Sequence, residues 1–270
     1  MKRREFIQYS AITMLMAGCD FEYNANQVDT DVKNLNTRNI SLIQNMSLSY
    51  PITIALISDT HNYYTKLKNT IDKIKSDISS YDFVIHGGDI TDAGLQKEFN
   101  DYHSFRNDLP LPVVHSIGNH DAITNGITIF RNVYGDYNFT FQIAQTHFIF
   151  FNNNNWEFGD KPLNLTWLES KLSDAKAIID ADGVGQIIVV NHVNYNSTER
   201  YTSTEIARYV QLLTDYNATI SINGHNHGHD IHSNNGIEYL TIGSIQHDSF
   251  MKLTLNSANQ LDYTLEQINV

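Results

Sequence analysis

The sequence predicts an α/β fold, a layered sandwich of mixed β-sheets flanked by helices. Three observations carry this. Short apolar runs recur from residue 50 to the end of the 270-residue chain, the early runs alternate with helical stripes, and the last runs follow one another directly. Strand–helix alternation implies parallel strands under covering helices. Consecutive strands imply antiparallel pairing. Hydrophobic residues make up 41% of the chain, enough for one sizeable core.

In chain order, Lys2, Arg3 and Arg4 open a positive segment, and an apolar stretch from Ala11 to Ala17, broken by Thr13, follows. It is too short for an ordinary membrane-spanning helix. Met16-Ala17-Gly18-Cys19 resembles a bacterial lipoprotein cleavage box, although Leu is more usual at its first position. That resemblance implies a signal peptide over residues 1–18 and a lipid on Cys19, which is the only cysteine. It also implies an exported protein anchored to a bacterial membrane, facing periplasm or cell exterior. Arg3-Arg4-Glu5-Phe6-Ile7 also resembles a twin-arginine signal, which exports folded proteins. Residues 19–49 are polar and read as a lipid-anchored tether or linker, able to add an edge element to a domain spanning residues 50–270.

Within that domain, Ile52 to Ile57 reads as a strand, and Leu67, Ile71, Ile74 and Ile78 form one helical stripe. Phe83-Val84-Ile85 is the next strand, Leu95 to Arg106 a helix and Pro112 to Ile117 a third strand. Tyr137 to Ile143 and Thr146 to Phe151 read as a hairpin joined by Ala144-Gln145. Trp167, Leu168, Leu172, Ala175 and Ile179 mark a helix, Ile187 to Val190 a strand, and Ile206, Val210 and Leu213 a helix before strand Ala218 to Ile222. Tyr239 to Ile242, Phe250 to Leu255 and Leu261 to Gln267 read as antiparallel sheet.

Polar clusters follow five of these runs directly: Ser58-Asp59-Thr60-His61, Gly87-Gly88-Asp89, Gly118-Asn119-His120-Asp121, Asn191-His192 and Gly224-His225-Asn226-His227. Parallel strands bring their carboxyl ends to one edge, where loops converge on a ligand. Carboxylates and imidazoles suit borderline-hard cations. Asp59, His61, Asp89, Asn119, His192, His225 and His227 offer seven ligands, more than one ion uses. Two ions sharing Asp89 would hold a hydroxide between them and neutralise phosphate oxygens. The formal charge of -12 argues against nonspecific binding of nucleic acid but not against a small anionic substrate, since bound cations reverse the local sign.

Asp59-x-His61, Gly88-Asp89, Gly118-Asn119-His120-Asp121, His192 and Gly224-His225-x-His227 together resemble, in order, the motif set of the calcineurin-like metallophosphoesterase family, over residue 50 to the mid-250s. The resemblance implies that Asp59, His61 and His227 hold one metal and Asn119, His192 and His225 the other, with Asp89 bridging. Fe, Mn and Zn all suit these ligands. His120 would stabilise the phosphate or protonate the leaving oxygen, and Asp121 would orient His120. Purple acid phosphatases have a Tyr three residues after the bridging Asp, where this chain has Asp92, and they lack the His that stands here as His61. The motifs look more like those of the cyclic-nucleotide phosphodiesterase branch.

The expected activity is therefore dimetal-dependent hydrolysis of phosphate esters by a metal-bridging hydroxide, with phosphodiesters favoured. The Asn152–Asn155 stretch, a candidate rim, lacks obvious cations for a terminal dianion. The alternatives are a phosphomonoesterase, nucleotide-directed enzymes included, and a non-catalytic metal-containing binding protein. The His120-Asp121 pair argues against the latter, because metal affinity and folding do not require His120. His86 and His115 lie inside apolar runs and read as core histidines or as groups that support a metal ligand from behind, while His229 and His232 read as part of a loop. Asp92 reads as a helix cap or a partner of a metal ligand. Tyr195 and Tyr201 read as partly buried rings of a solvated loop, with stacking on a base or aryl group as the sharper alternative.

Overall fold

The computed structural model describes residues 33–268. The expected signal peptide and the lipid-bearing Cys19 lie outside the described residues.

Two mixed sheets pack face to face and carry helices on their outer sides, as the sequence predicts. The five-stranded sheet contains β1 (Ile52–Ile57), β2 (Phe83–His86), β3 (Val113–His115), β10 (Ser249–Ser257) and β11 (Gln260–Gln267), in the order β11-β10-β1-β2-β3. β1 and β2 run parallel, as do β2 and β3, while β10 runs antiparallel to β1 and β11. The six-stranded sheet contains β4 (Phe139–Ile143), β5 (Thr146–Phe150), β6 (Gln186–Val190), β7 (Ile220–Asn223), β8 (Asp230–Asn234) and β9 (Ile237–Thr241), in the order β4-β5-β6-β7-β9-β8.

Strands alternate their side chains between faces, and here both faces are covered. Ile54, Leu56, Phe83 and Ile85 meet Ile188, Val190, Ile220, Ile222 and Leu240 between the sheets. From the same strands, Ala55, Ile57 and Val84 point outward, against Leu67, Ile71 and Ile74 of α2 (Tyr64–Ser76), Phe99 and Tyr102 of α3 (Gln96–Arg106), and Ile129 and Phe130 of α4 (Gly126–Tyr134). Ile187 and Val189 do the same against Leu168 and Leu172 of α5 (Leu165–Asp182) and Leu212 and Leu213 of α6 (Ser203–Asp215). Double-sided burial makes these strands read as continuous apolar runs. The start of α6 is fixed by a capping box, in which the Thr202 hydroxyl accepts from Glu205 N and the Glu205 carboxylate accepts from Thr202 N.

Four features differ from the sequence reading. A helix α1 (Leu35–Asn45) lies in the stretch expected as a tether, so the packed part of the chain reaches back beyond Tyr50. Its Asn36 Nδ2 donates to His115 O at 2.9 Å, His115 N donates back to Asn36 Oδ1 at 2.8 Å, and Asn39 Nδ2 donates to Val113 O at 2.7 Å. These amides satisfy the free edge of β3 as a further strand would. Helix α4 was not anticipated. β9 runs parallel to β7, because the intervening β8 lies outside it and pairs with it antiparallel. His232 belongs to β8 and not to a loop.

Candidate metal centre

The five polar clusters leave the carboxyl ends of β1, β2, β3, β6 and β7, and the two sheets bring those ends together. Backbone bonds fix one loop to the next. Asp59 N donates to Gly88 O at 3.0 Å, His61 N to Asp89 O at 3.1 Å and Gly224 N to His192 O at 3.1 Å. The close approach needs glycine at two places. A Cβ on Gly118 would sit 2.1 Å from both N and Oδ1 of Asp89, and one on Gly224 would sit 2.2 Å from Ser58 Oγ and 2.7 Å from Asp59 Oδ2.

All seven expected ligands converge. Asp59 with His61 and His227, His61 with Asp89 and His120, and Asp89 with His192 and His225 form three overlapping groups whose ligand atoms lie within 4.8 Å of one another. Asn119 joins the third, its Oδ1 lying 3.1 Å from His192 Nε2 and 2.8 Å from His225 Nδ1. Asp89 stands in two groups, and its Oδ2 is 3.2 Å from His192 Nε2 and 3.7 Å from His61 Nε2. Asp59, His61, Asp89, His225 and His227 all have φ between 41° and 71°. Non-glycine residues in that region cost about 1–3 kcal/mol each and collect at functional sites.

The electrostatics of the cluster call for positive charge. Asp59 and Asp89 are almost fully buried. Burial, reinforced by the charge of Asp89, raises the Asp59 pKa. Burial works against the charged form of Asp89 too, but the charge and hydrogen bond of His192 overcome it and hold that carboxyl below the usual range. Burial likewise opposes the imidazolium of His192, yet the pairing with Asp89 pushes that group up to about 9. Burial lowers His61 and takes His225 down to about 3. Both ring nitrogens of His61 are buried with no hydrogen-bond partner among the described residues. An unpaired buried imidazole beside two buried carboxylates is costly, and a cation would satisfy all three. The donor set therefore fits divalent metal ions. His192 Nδ1 donates to Gly87 O at 2.9 Å, so Nε2 is the nitrogen that faces the cluster, and a bound cation would take the place of the proton it shares with Asp89.

His120 and Asp121 part company. Nδ1 of His120 faces the backbone oxygen of Asp92 at 2.6 Å, and its ring stands edge-on to His61 with centroids 4.7 Å apart. Asp121 turns away from that ring. Its carboxylate accepts from Ile90 N, Thr91 N, Thr91 Oγ1 and Gly118 N at 2.9–3.2 Å. The expectation that Asp121 orients His120 is thus corrected. The carboxylate finds four donors in the loops after β2 and β3, and the carbonyl of Asp92 takes the imidazole. Burial raises Asp121 to about 6, offset in part by those backbone donors. The Asp92 carboxylate lies 3.6 Å from His61 Nδ1.

Other residues support the cluster in roles the sequence did not reveal. Asn153 Oδ1 accepts from His192 N at 3.2 Å and Val193 N at 3.0 Å, and Asn154 Nδ2 donates to Ile117 O at 3.0 Å. These amides join the loops that carry His192 and Asn119. Their only signal was a run of asparagines directly after β5. Ser244 Oγ donates to Asp59 O at 2.9 Å, and the Gln246 amide lies 3.1 Å from His227 Nδ1. Tyr201 is buried and donates to Asn153 O at 2.7 Å, while Tyr195 stacks on Tyr239 with centroids 4.0 Å apart. His229 bonds Ser249 Oγ at 2.8 Å, and His232 packs on Tyr239. His86 and His115 are fully buried, as expected.

Comparison with known proteins agrees with the geometry. The chain is similar in fold to GAP50, the anchor in the inner membrane complex of Plasmodium, with 16% identity and a TM-score of 0.58 over 81% of this chain and 89% of that one. It is similar to purple acid phosphatase PPD1 from yellow lupin, at 13% identity and a TM-score of 0.61 over 82% of this chain and 52% of that one. A putative 5'-nucleotidase from Staphylococcus aureus shares 15% identity and a TM-score of 0.55 over 80% of this chain and 54% of that one. The chain thus spans about half the length of the lupin and staphylococcal proteins. No curated protein matches it in sequence. The sequence profile of the calcineurin-like phosphoesterase family matches residues 52–229, and the chain belongs to that family.

Proposed function

We propose that this protein hydrolyses phosphodiesters at a centre of two metal ions. The observation that carries the reading is the convergence of seven ligands, four from one sheet and three from the other, around a shared Asp89. Asp59, His61, Asp89 and His227 would hold one ion, and Asp89, Asn119, His192 and His225 the second. Bound there, Fe, Mn or Zn would supply an activated water and neutralise phosphate oxygens.

The chain's own groups account for the remaining steps. His120 stands at the edge of the cluster, partly exposed, with Nδ1 held by the Asp92 carbonyl. Its Nε2 is then free to carry a proton to the leaving oxygen as the bond from phosphorus to that oxygen breaks and a bond from phosphorus to water oxygen forms. Asp121 and the Asn153–Asn154 amides tie the loops to one another.

The preference for diesters rests on Arg200. Its guanidinium is bound twice by Glu157, at 2.9 and 3.1 Å, and lies over the Trp156 ring, 4.5 Å from the centroid. A neutralised arginine does not favour a terminal dianion over a diester monoanion. The test is turnover of bis-nitrophenyl phosphate against nitrophenyl phosphate on protein of defined metal content. Faster turnover of the monoester would overturn the diester reading, and bound metal with neither turned over would favour a binding protein.

We also propose that a lipid on Cys19 holds this domain at a membrane surface on the exported side. The support is the Met16-Ala17-Gly18-Cys19 box after a positive, apolar start. Among the described residues no helix is long and apolar enough to cross a membrane. Cys19→Ser should move the protein from the membrane fraction to the soluble one, and an unchanged distribution would refute the anchor.

A further inference from the structure

We propose that His86 is a positioning residue whose imidazole ties the loop bearing Asp59 and His61 to the loop bearing Asp89, and so sets the spacing of those ligands. The proposal rests on the metal reading of the cluster. His86 ends β2 and is fully buried. Nδ1 lies 3.2 Å from Gly88 N, next to Asp89 in sequence, and Nε2 lies 3.2 Å from Thr60 Oγ1, between Asp59 and His61. A backbone N–H can only donate, so Nδ1 accepts. In the neutral ring Nε2 then carries the hydrogen and donates to Thr60. Thr60 in turn passes its hydroxyl hydrogen to Ile90 O, at 3.0 Å. The three bonds run in one direction, from the Gly88 amide through the ring and the hydroxyl back to the residue after Asp89.

Burial keeps the imidazole neutral, with its pKa near 3. The ring itself is clamped, edge-on to Tyr102 at 5.5 Å and stacked on His115 at 5.8 Å between centroids. A phenyl ring would fill this space but make neither bond. Groups that orient ligands from behind typically alter metal affinity or activity by roughly 10–100-fold when removed.

The experiment is a competition titration of Mn2+ and Zn2+ against a chromogenic chelator, run with melting of the metal-free protein and with kcat and KM. Wild type, His86→Phe, His86→Asn, His86→Gln and Thr60→Val are compared. We expect His86→Phe to weaken cation binding by about 10–100-fold. His86→Asn, which keeps an acceptor near Nδ1, and His86→Gln, which reaches toward Thr60, should each recover part of that loss. Thr60→Val, nearly isosteric, covers the case in which His86→Phe does not fold, and it should weaken binding in the same direction. Added to His86→Phe, it should cost little more, since both changes break one chain of bonds. Wild-type cation affinity in Thr60→Val and every folded His86 variant, with only the melting point lowered, would overturn the proposal and leave His86 a packing residue. Absence of cation binding in the wild type itself would instead defeat the metal reading, and this inference with it.

Discussion

His120 Nδ1 and the backbone oxygen of Asp92 are 2.6 Å apart, so the main chain after β2 aims an imidazole contributed by the loop after β3. The ring is close enough to His61 and Asp89 to be grouped with them as a ligand, yet its Nδ1 is taken by the Asp92 oxygen. If the proposed function holds, His120→Ala should retain the bound cations and lose about 10²–10⁴-fold in turnover. Elemental analysis beside a rate measurement decides this. Cations lost together with activity would make His120 a ligand.

Gly118→Ala probes how tightly the cluster is assembled. The added methyl would lie 2.1 Å from Asp89 Oδ1 and from Asp89 N, and neither can retreat without moving a ligand. Overpacking of this kind costs about 1–3 kcal/mol. A lower melting point and a weakened cation titration are expected together, and an unperturbed titration would show that the loop gives way harmlessly.

Cation binding should also stabilise the fold. Burial and the neighbouring Asp89 both act against ionised Asp59, and a bound ion removes that opposition. At one hundred times the dissociation constant the gain is about 2.7 kcal/mol. Melting with Mn2+ or Zn2+ should exceed melting in a chelator, and identical curves would argue against a site in the folded state.

His103, which is not among the expected ligands, supplies a pH dependence of stability. Burial, helped by Arg106, lowers its pKa to about 3, and its Nε2 meets Tyr134 Oη at 3.1 Å. Unfolded, the ring takes up a proton below its ordinary value near 6.5, while the folded form refuses it down to about 3. The unfolded state thus binds more protons in that window, so stability falls as pH drops through it, by up to about 1.4 kcal/mol per pH unit. Above pH 6.5 the group contributes no slope. His103→Gln should reduce the loss between pH 7 and 5 by roughly 2 kcal/mol in denaturant titrations. An unchanged loss would mean that His103 is protonated in the folded protein.

Asn36 tests the docking of α1. Asn36→Ala leaves His115 N and O without their side-chain partner on the open side of β3. The expected cost is about 1–3 kcal/mol, read as a shift in the denaturation midpoint. No shift would show that α1 rests on the domain without holding it.

The legible parts of the molecule were those where one residue type does one job. β1, β2 and β6 are buried on nearly every side chain, so each reads as a mostly apolar run. The expected ligands come directly after strands, and Asp89, Asn119 and His225 each follow a glycine. The illegible parts depend on partners distant in sequence. α1 buries Asn36, Asn39 and Ile43, so its inner face carries little apolar signal. β8 is largely exposed, and its place outside β9 decides the direction of β9 relative to β7. The family resemblance implied that Asp121 holds His120, but four donors 3 to 31 positions away claim its carboxylate. Asn153 and Asn154 looked like rim and proved to be ties between loops.

The ligand set straddles a seam. Asp59, His61, Asp89 and Asn119 ride on the five-stranded sheet, and His192, His225 and His227 on the six-stranded one. Coordination geometry tolerates only a few tenths of an ångström, so ions bound as proposed would meter the slide of one sheet over the other at this rim. The interdigitating side chains between the sheets, Phe83 against Phe148 for instance, accordingly act as a remote alignment gauge. A change of shape there would detune the chemistry from deep inside the molecule without touching a single ligand.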